Sequence, residues 1–316
     1  MSTINILVCE PLGEKGLDIL KSQTHFKIET ALNLTKAQLI EKIAHFDCLL
    51  IRSQSDVDKD VIQAGKKLKM IGRAGVGIDN VDIAAAKMHN IAVINTPTGN
   101  SISTAEFSFA LMIALLRKIV PAHQHVLSDQ WQRSQFKGTE LAGKTLGIIG
   151  LGNVGRLLAI RAQAFSMETQ AFDPVLDSSL FEHYRVKKSS LKELLASSDI
   201  VSLHCGLNQH TKHLMNQKNI SLMKKHAVLI NAARGELVDT QALIAALDSG
   251  HLSGAAIDVY EEEPPKKNDP LVHHPKILST PHIAASTNEA QSKISLLLAQ
   301  QVIAFFSDGH DLTRVV

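Results

Sequence analysis

The chain has 316 residues, enough for two domains of ordinary size, and its 45% hydrophobic and 20% charged residues make a globular composition. A formal net charge of +2 and 4% aromatic residues give no ground for a nucleic-acid or anionic-membrane partner. Three scattered cysteines, Cys9, Cys48 and Cys205, lack C-x-x-C spacing, which suits a reducing compartment and gives no zinc signature.

In chain order, Ile4–Cys9 reads as an apolar strand, too short and too acidic at its end for a signal peptide. A helix is predicted over Gly13–Lys21, a strand over Phe26–Thr30 and a helix over Thr35–Ala44 with Thr35 as N-cap. Cys48–Ile51 is a buried-type strand ending on Arg52-Ser53. Lys59–Ala64 is helical, Met70–Ile71 a strand, Asp82–Met88 helical and Ile91–Ile94 a strand. Such alternation predicts a parallel, doubly wound sheet. Thr96–Asn100 breaks the pattern as a hinge. One long helix is predicted over Ser103–Leu127, apolar nearly all round and so buried on more than one side, as an interdomain helix, a subunit contact or both. Its Phe107–Leu116 run is shorter than a membrane span, and a soluble cytoplasmic protein is expected.

Thr145–Gly150 is a strand that opens into Gly150-Leu151-Gly152-Asn153-Val154-Gly155, a G-x-G-x-x-G. A helix from Arg156 to about Phe165 and a strand over Thr169–Phe172 follow, ending on Asp173. The first glycine permits a sharp turn, the second a close approach of backbone to a pyrophosphate, and the third tight helix–strand packing. Helix N–H groups then face the phosphates. Asp173 falls near the spacing of a ribose 2′-OH acceptor, and it argues for NAD over NADP because a 2′-phosphate beside it would be repelled.

The alternation continues with a helix over Leu191–Ala196, strand Ile200–His204, helix Gln217–Met223 and strand Val228–Asn231. Helix Thr240–Leu247, capped by Asp239, strands Ala255–Val259 and Ile277–Ser279, and a closing helix over Asn288–Phe306 complete it. Lys187-Lys188 and Lys224-Lys225 read as solvated surface, and His123, His125, His273 and His274 as exposed polar positions rather than ligands. No metal is expected. Open α/β sheets bind ligands beyond the carboxyl ends of strands. Past those ends lie Arg234, Asp258, Glu261, Glu262, Glu263 and His282. Histidine suits removal of a carbinol proton, a carboxylate orients it, and arginine holds a substrate carboxylate with two parallel hydrogen bonds. On spacing alone His282 as a turn residue and Arg234 as a structural ion pair stay open.

The glycine motif with Asp173, NAARGELVD at 231–239, DVYEEEPP at 258–265 and PHIAAST at 281–287 resemble the NAD-dependent D-2-hydroxyacid dehydrogenases over essentially the whole chain. The resemblance implies two doubly wound parallel-sheet α/β domains. A Rossmann cofactor domain, 99–286, is inserted in a flavodoxin-like substrate domain, 1–98 completed by a C-terminal helix over 287–316. It implies NAD as cofactor, a small-molecule substrate, and a homodimer or dimer-based oligomer. Arg234, Glu263 and His282 become the catalytic residues: Arg234 anchors substrate, and Glu263 pairs with the acid/base His282. Gly150, Gly152, Asn153, Val154, Gly155, Asp173, Cys205, Ala232, Ala233, Arg234, Asp258 and His282 become cofactor-binding, with Asp258 at the nicotinamide end.

IGRAGVGIDNVD at 71–82 and INTPTGNSISTAE at 94–106 narrow the implied reaction to oxidation of 3-phospho-D-glycerate, the entry to serine synthesis. Glyoxylate or hydroxypyruvate reduction is the alternative within the family. An NADH-sensing corepressor is the alternative outside enzymology, and nothing in the sequence marks its peptide groove. Arg234 suits the substrate carboxylate, so the first domain must meet the phosphate. Arg52 and Arg73 sit just past strands, Gly75 and Val76 lie beside Arg73, and Arg133 is a third cation; ordinary surface charge is the competing reading for Arg52 and Arg73. Three departures stand out. Cys205-Gly206 replaces a common Thr-Pro, and Val76 replaces a common threonine. The chain stops at Val316, so a short form without the regulatory domain of longer relatives is expected.

Overall fold

Buried runs of branched residues set the strands. A computed structural model of the chain describes residues 3–308 and 314–316, which fall into two compact units, Met1–Ser101 with Ser286–Val316, and Ile102–Ala285. The first begins with β1 (Ile4–Val8), α1 (Glu14–Lys21), β2 (Phe26–Thr30), α2 (Lys36–Ile43) and β3 (Cys48–Ile51). It continues with α3 (Lys59–Ala64), β4 (Met70–Arg73), α4 (Ile83–Met88) and β5 (Ala92–Ile94). Helix α5 (Ser101–Leu116) leads into the second unit, followed by α6 (Ile119–Leu127), β6 (Thr145–Ile149), α7 (Asn153–Ala164) and β7 (Glu168–Phe172). Next come α8 (Ser178–His183), β8 (Lys187–Lys188), α9 (Leu191–Ser197), β9 (Ile200–Leu203), α10 (Gln217–Ser221) and β10 (Val228–Asn231). Then α11 (Thr240–Asp248), β11 (Gly254–Ile257), α12 (Pro270–His273) and β12 (Ile277–Ser279) close that unit, and α13 (Asn288–Asp308) returns to the first.

The first sheet has the order β2-β1-β3-β4-β5, all parallel, so its topological switch lies between β1 and β3. This is the flavodoxin-like arrangement. Both faces are covered. In β3, Leu49 and Ile51 enter a core with Leu39, Ile43 and Val61, while Cys48 and Leu50 enter the opposite core with Leu298 and Val302 of α13. A Cβ at Gly16 would come within 2.3 Å of the Ser295 carbonyl oxygen, so α1 and α13 touch backbone to backbone there. The second sheet, β12-β11-β10-β9-β6-β7-β8, is also wholly parallel and carries the Rossmann order with one strand added beyond it. Cores on its two faces take alternate residues of β9: Ile200 on one side, Val201 and Leu203 on the other. Thr35 forms a full capping box with Gln38, and Asp82 and Asp239 cap α4 and α11.

Three sequence expectations need correction. The predicted Ser103–Leu127 helix is broken: α5 ends at Leu116, and Lys118 turns left-handed at φ 51° before α6. Pro121 explains it, since in a continuous helix its ring would collide with the carbonyl four residues earlier. Within the single chain Ile119, Val120, Val126 and Leu127 of α6 are all exposed, so that half is not an interdomain core. Arg73 is the last residue of β4 rather than a residue past it, because β4 runs two residues further in register with β3. Lys187-Lys188 and Lys224-Lys225 are exposed, as expected: the first pair forms the edge strand β8, with the Lys188 ammonium over the Phe181 ring, and Lys224 is paired with Asp199. The closing helix does not reach residue 316. It ends at Asp308, residues 309–313 lie outside the described part, and Arg314 forms an antiparallel bridge to Ile94 at the edge of the first sheet.

Candidate active site

In the second unit the glycine motif forms the turn between β6 and α7, with Gly152 as N-cap. Gly150 sits at φ 95°, and a Cβ there would lie 2.7 Å from both the His204 carbonyl carbon and the Cys205 nitrogen. The 204–205 backbone therefore excludes any side chain at this turn. A Cβ at Gly155 would meet the Gly150 carbonyl oxygen at 2.2 Å, which fixes helix against strand. Beside Gly152 a Cβ would meet nothing within 4 Å, so the turn is open where a pyrophosphate would approach. Asn153 and Val154 start α7, whose positive end faces that space. Asp173 follows β7. Its Oδ2 accepts from Leu151 N at 3.0 Å and its Oδ1 from Val175 N at 3.1 Å, leaving lone pairs on both oxygens for ribose hydroxyls.

Cys205 lies beside this turn. Burial, reinforced by the Asp173 charge, pushes its thiol up to about 11, so it is a neutral lining group rather than a thiolate. His204, hydrogen-bonded to the buried Ser202 hydroxyl at 2.7 Å, is pushed by burial down to about 4. These residues fit a dinucleotide: an open glycine turn at a helix N-terminus and an anchored acid.

The loop after β10 carries the next group. Asn231 is buried and brackets it: its Nδ2 donates to Arg234 O at 2.8 Å and its Oδ1 accepts from Ala233 N at 3.1 Å. Ala232 is buried, and Arg234 Nη1 donates to Ala233 O at 2.6 Å. A Cβ at Gly235 would strike the Tyr260 carbonyl carbon at 2.0 Å, so the Arg234 loop lies directly on the segment leading to Glu263.

Glu263 and His282 meet. His282 Nδ1 is 2.6 Å from Glu263 Oε2, while Glu263 Oε1 accepts from Tyr260 N at 3.0 Å. Burial works against a charged Glu263, but hydrogen bonds from His282 and Tyr260 N and the positive charges of His282 and Arg234 outweigh it and hold the carboxyl below its ordinary value. The His282 side chain is 42% exposed, so its other nitrogen is accessible. His282 sits at φ 53°, a conformation that costs a non-glycine residue of order 1–3 kcal/mol and persists only when its surroundings impose it. Asp258 imposes it. This fully buried carboxylate accepts from Thr280 Oγ1 at 2.6 Å, Ile283 N at 3.0 Å and Ala284 N at 2.9 Å, and its own carbonyl accepts from His282 N at 2.8 Å. Asn231, Gly235, Tyr260 and Thr280 were not singled out from sequence as site residues; only their place inside the family motifs marks them. Glu261 binds His213 and Thr240, and Glu262 pairs with Lys266.

In the first unit Arg52 follows β3 and Arg73 ends β4, neighbouring strands of one sheet. Gly75 sits at φ 147°, a conformation that favours glycine, and the Arg73 guanidinium lies against it: a Cβ there would be 1.6 Å from Arg73 Nη1. Val76 is exposed and its carbonyl accepts from Asn95 Nδ2 at 2.7 Å. Arg133 belongs to the second unit, in an exposed 3-10 turn next to Trp131. Among the described residues no three His, Cys, Asp or Glu side chains gather as a metal-holding group, and no helix is long and apolar enough to cross a membrane.

Residues 109–284 match the model of the D-isomer specific 2-hydroxyacid dehydrogenase NAD binding domain. The chain is 42% identical over 300 residues to the D-3-phosphoglycerate dehydrogenase of Archaeoglobus fulgidus, covering 95% of this chain and 57% of that one. The Bacillus subtilis protein of the same name is also 42% identical over 300 residues, with 56% of its length covered. The chain thus spans little more than half the length of these relatives. Among solved structures, a glyoxylate reductase from Paecilomyes thermophila superposes with a TM-score of 0.91 at 30% identity, covering 100% of this chain and 99% of that one. The fold, the NAD-binding segment and these likenesses agree: the chain belongs to the D-isomer specific 2-hydroxyacid dehydrogenase family.

Proposed function

We propose that the chain oxidises 3-phospho-D-glycerate to 3-phosphohydroxypyruvate with NAD, the first step of serine biosynthesis, as a cytoplasmic enzyme. The observation that carries a dehydrogenase chemistry is the 2.6 Å contact between His282 Nδ1 and Glu263 Oε2 next to Arg234. With Nδ1 turned to the carboxylate, Nε2 is the nitrogen left to take the substrate hydroxyl proton. Glu263 orients the ring and stabilises the imidazolium that results. Bound NAD supplies the acceptor for the hydride leaving the same carbon. Asp173 holds the adenosine ribose, and the glycine turn with Asn153 and Val154 holds the pyrophosphate. Cys205, Ala232 and Ala233 line the cofactor. Arg234 binds the substrate carboxylate in a bidentate pair.

The phosphorylated substrate is supported by the D-3-phosphoglycerate dehydrogenase relatives and by the first unit's arginines. Residues 1–98 with the C-terminal segment act as substrate domain, Arg52, Arg73, Gly75 and Val76 serving the phosphate end, and 99–286 as cofactor domain. Arg133 is a further substrate cation. The exposed apolar residues of α6 and Trp131, which is 77% exposed, support a homodimer through this region. Glyoxylate or hydroxypyruvate reduction is the second reading, favoured by the full-length likeness to a glyoxylate reductase. NADH formation measured with 3-phosphoglycerate and with D-glycerate decides between them. Faster turnover of the unphosphorylated acid would overturn the first reading.

A further inference from the structure

Glu10 lies just past β1 and is only 4% exposed. A buried carboxylate is costly unless donors compensate it. Here the donors are main-chain amides of a single loop. Glu10 Oε1 accepts from Arg52 N at 2.9 Å and Ser55 N at 3.0 Å, and Oε2 accepts from Gln54 N at 3.2 Å. The amide of Ser53 is not among those drawn inward. The carbonyls of the same loop are held from elsewhere: Asn80 Nδ2 donates to Arg52 O at 2.9 Å and to Ser55 O at 2.7 Å. Loop 52–55 is thus clamped at both ends by side chains more than twenty residues away, through its N–H groups by Glu10 and its carbonyls by Asn80. Its position is also the one the topology marks. β1 and β3 are the strands between which this sheet reverses direction of winding, and ligands of open α/β sheets bind at that crevice.

We infer that Glu10 and Asn80 are positioning residues for the anion-binding side of the substrate site. They fix the 52–55 backbone so that the Arg52 guanidinium is presented in one orientation to the phosphate esterified on the carbon next to the reacting carbinol. This rests on the reading of Arg52 as a substrate residue. Preorganisation is where the benefit lies, because a cation on a pre-set loop loses less freedom on binding than one on a loose loop. Neither residue touches substrate in this account, so their effects appear in KM rather than in kcat.

The test uses the full chain, steady-state kinetics with 3-phosphoglycerate and D-glycerate, and the variants Glu10→Gln, Asn80→Ala, Arg52→Ala and both double variants with Arg52→Ala. A glutamine at position 10 turns an NH2 group toward amides that need an acceptor, so the loop loosens. Glu10→Gln and Asn80→Ala are each expected to raise KM for 3-phosphoglycerate about tenfold, the effect of roughly 1.4 kcal/mol, with kcat little changed and KM for D-glycerate nearly unmoved. Adding either to Arg52→Ala should raise KM little further, because the loop then has no guanidinium to aim. Equal losses with both acids, or full additivity with Arg52→Ala, would overturn the inference. If Glu10→Gln does not fold, Asn80→Ala decides alone. If the wild type prefers D-glycerate, the proposed substrate falls, and the positioning role is judged instead by inhibition with inorganic phosphate, which Glu10→Gln and Asn80→Ala should each weaken in the wild-type background but not in the Arg52→Ala background.

Discussion

Asp258→Asn separates two roles for one carboxylate. The family resemblance assigns Asp258 to the nicotinamide end of the cofactor, whereas the structure shows both its oxygens engaged by the loop that carries His282. The side chain is fully buried, so water cannot replace a lost partner. Asparagine keeps one oxygen and turns an NH2 toward the loop. The Thr280 hydroxyl can rotate to accept from it, but Ile283 N or Ala284 N must then face a donor. Leaving one buried amide unpaired costs about 1–3 kcal/mol, and the surviving bonds lose their charge assistance. A total near 3 kcal/mol corresponds to a fall in melting temperature of roughly 6–12 °C for a unit of this size. The loop also holds His282 at φ 53°, and its relaxation moves the ring away from Glu263. A misplacement of about 1 Å can cost 10²-fold in rate. Calorimetry, NADH titration by fluorescence and turnover should therefore show lower melting temperature, lower kcat and unchanged NADH affinity. Unchanged melting with weakened NADH binding would refute the reasoning and return Asp258 to the cofactor.

Removing the proposed acid/base group is more direct: His282→Ala should lower turnover by about 10²–10⁴ while NADH still binds, and wild-type turnover at any pH would rule His282 out. Glu263→Gln removes the charge that pairs with His282, so imidazolium is less favoured and the acidic limb of the pH–rate profile should move to lower pH; an unmoved limb would break the pairing. Asp173→Ala should weaken NAD and narrow its preference over NADP, which competitive titration checks. His204 predicts a pH effect on stability. Its folded value of about 4 lies below the ordinary 6.5, so the unfolded chain binds the extra proton and stability falls as pH drops from about 6.5 toward 4. Between pH 7 and 5 the loss is at most about 2 kcal/mol, an upper figure because the residue keeps partial exposure. Urea unfolding at both pH values should show a slope that His204→Gln flattens; an equal slope in the variant would assign it to other groups.

What the sequence made legible was local. The glycine turn, the Thr35 and Asp239 caps and the buried run of β3 depend on residues within a few positions of one another. The interruption between α5 and α6 was equally local, since Pro121 stands in the sequence, but the apolar run around it masked the signal. What composition and periodicity could not show were bonds between distant segments. Glu10 meets residues 42 to 45 positions later, and Asp258 meets residues 22 to 26 positions later. Each depends on which strands are neighbours.

Those bonds follow one rule. Glu10 lies past β1 and accepts from the loop past β3. Asp173 lies past β7 and accepts from the turn past β6. Asp258 lies past β11 and accepts from the loop past β12. In every case the two strands are hydrogen-bonded neighbours. Parallel strands end on a common edge, and there the chain leaves the ladder with amides that need acceptors. A carboxylate one strand away can take two or three of them at once, and charge-assisted bonds are the stronger kind. An acid at a strand end is therefore ambiguous in sequence: it reads as ligand-facing, yet its first obligation is to the neighbouring loop. Burial divides the three. Asp258 and Glu10 are closed off and act through the loops they hold, whereas Asp173 is partly exposed and keeps lone pairs for a ligand. The loops so fixed are the glycine turn, the Arg52 loop and the His282 loop, so under the proposed function the residues that order the sheet edges also set the geometry of the chemistry.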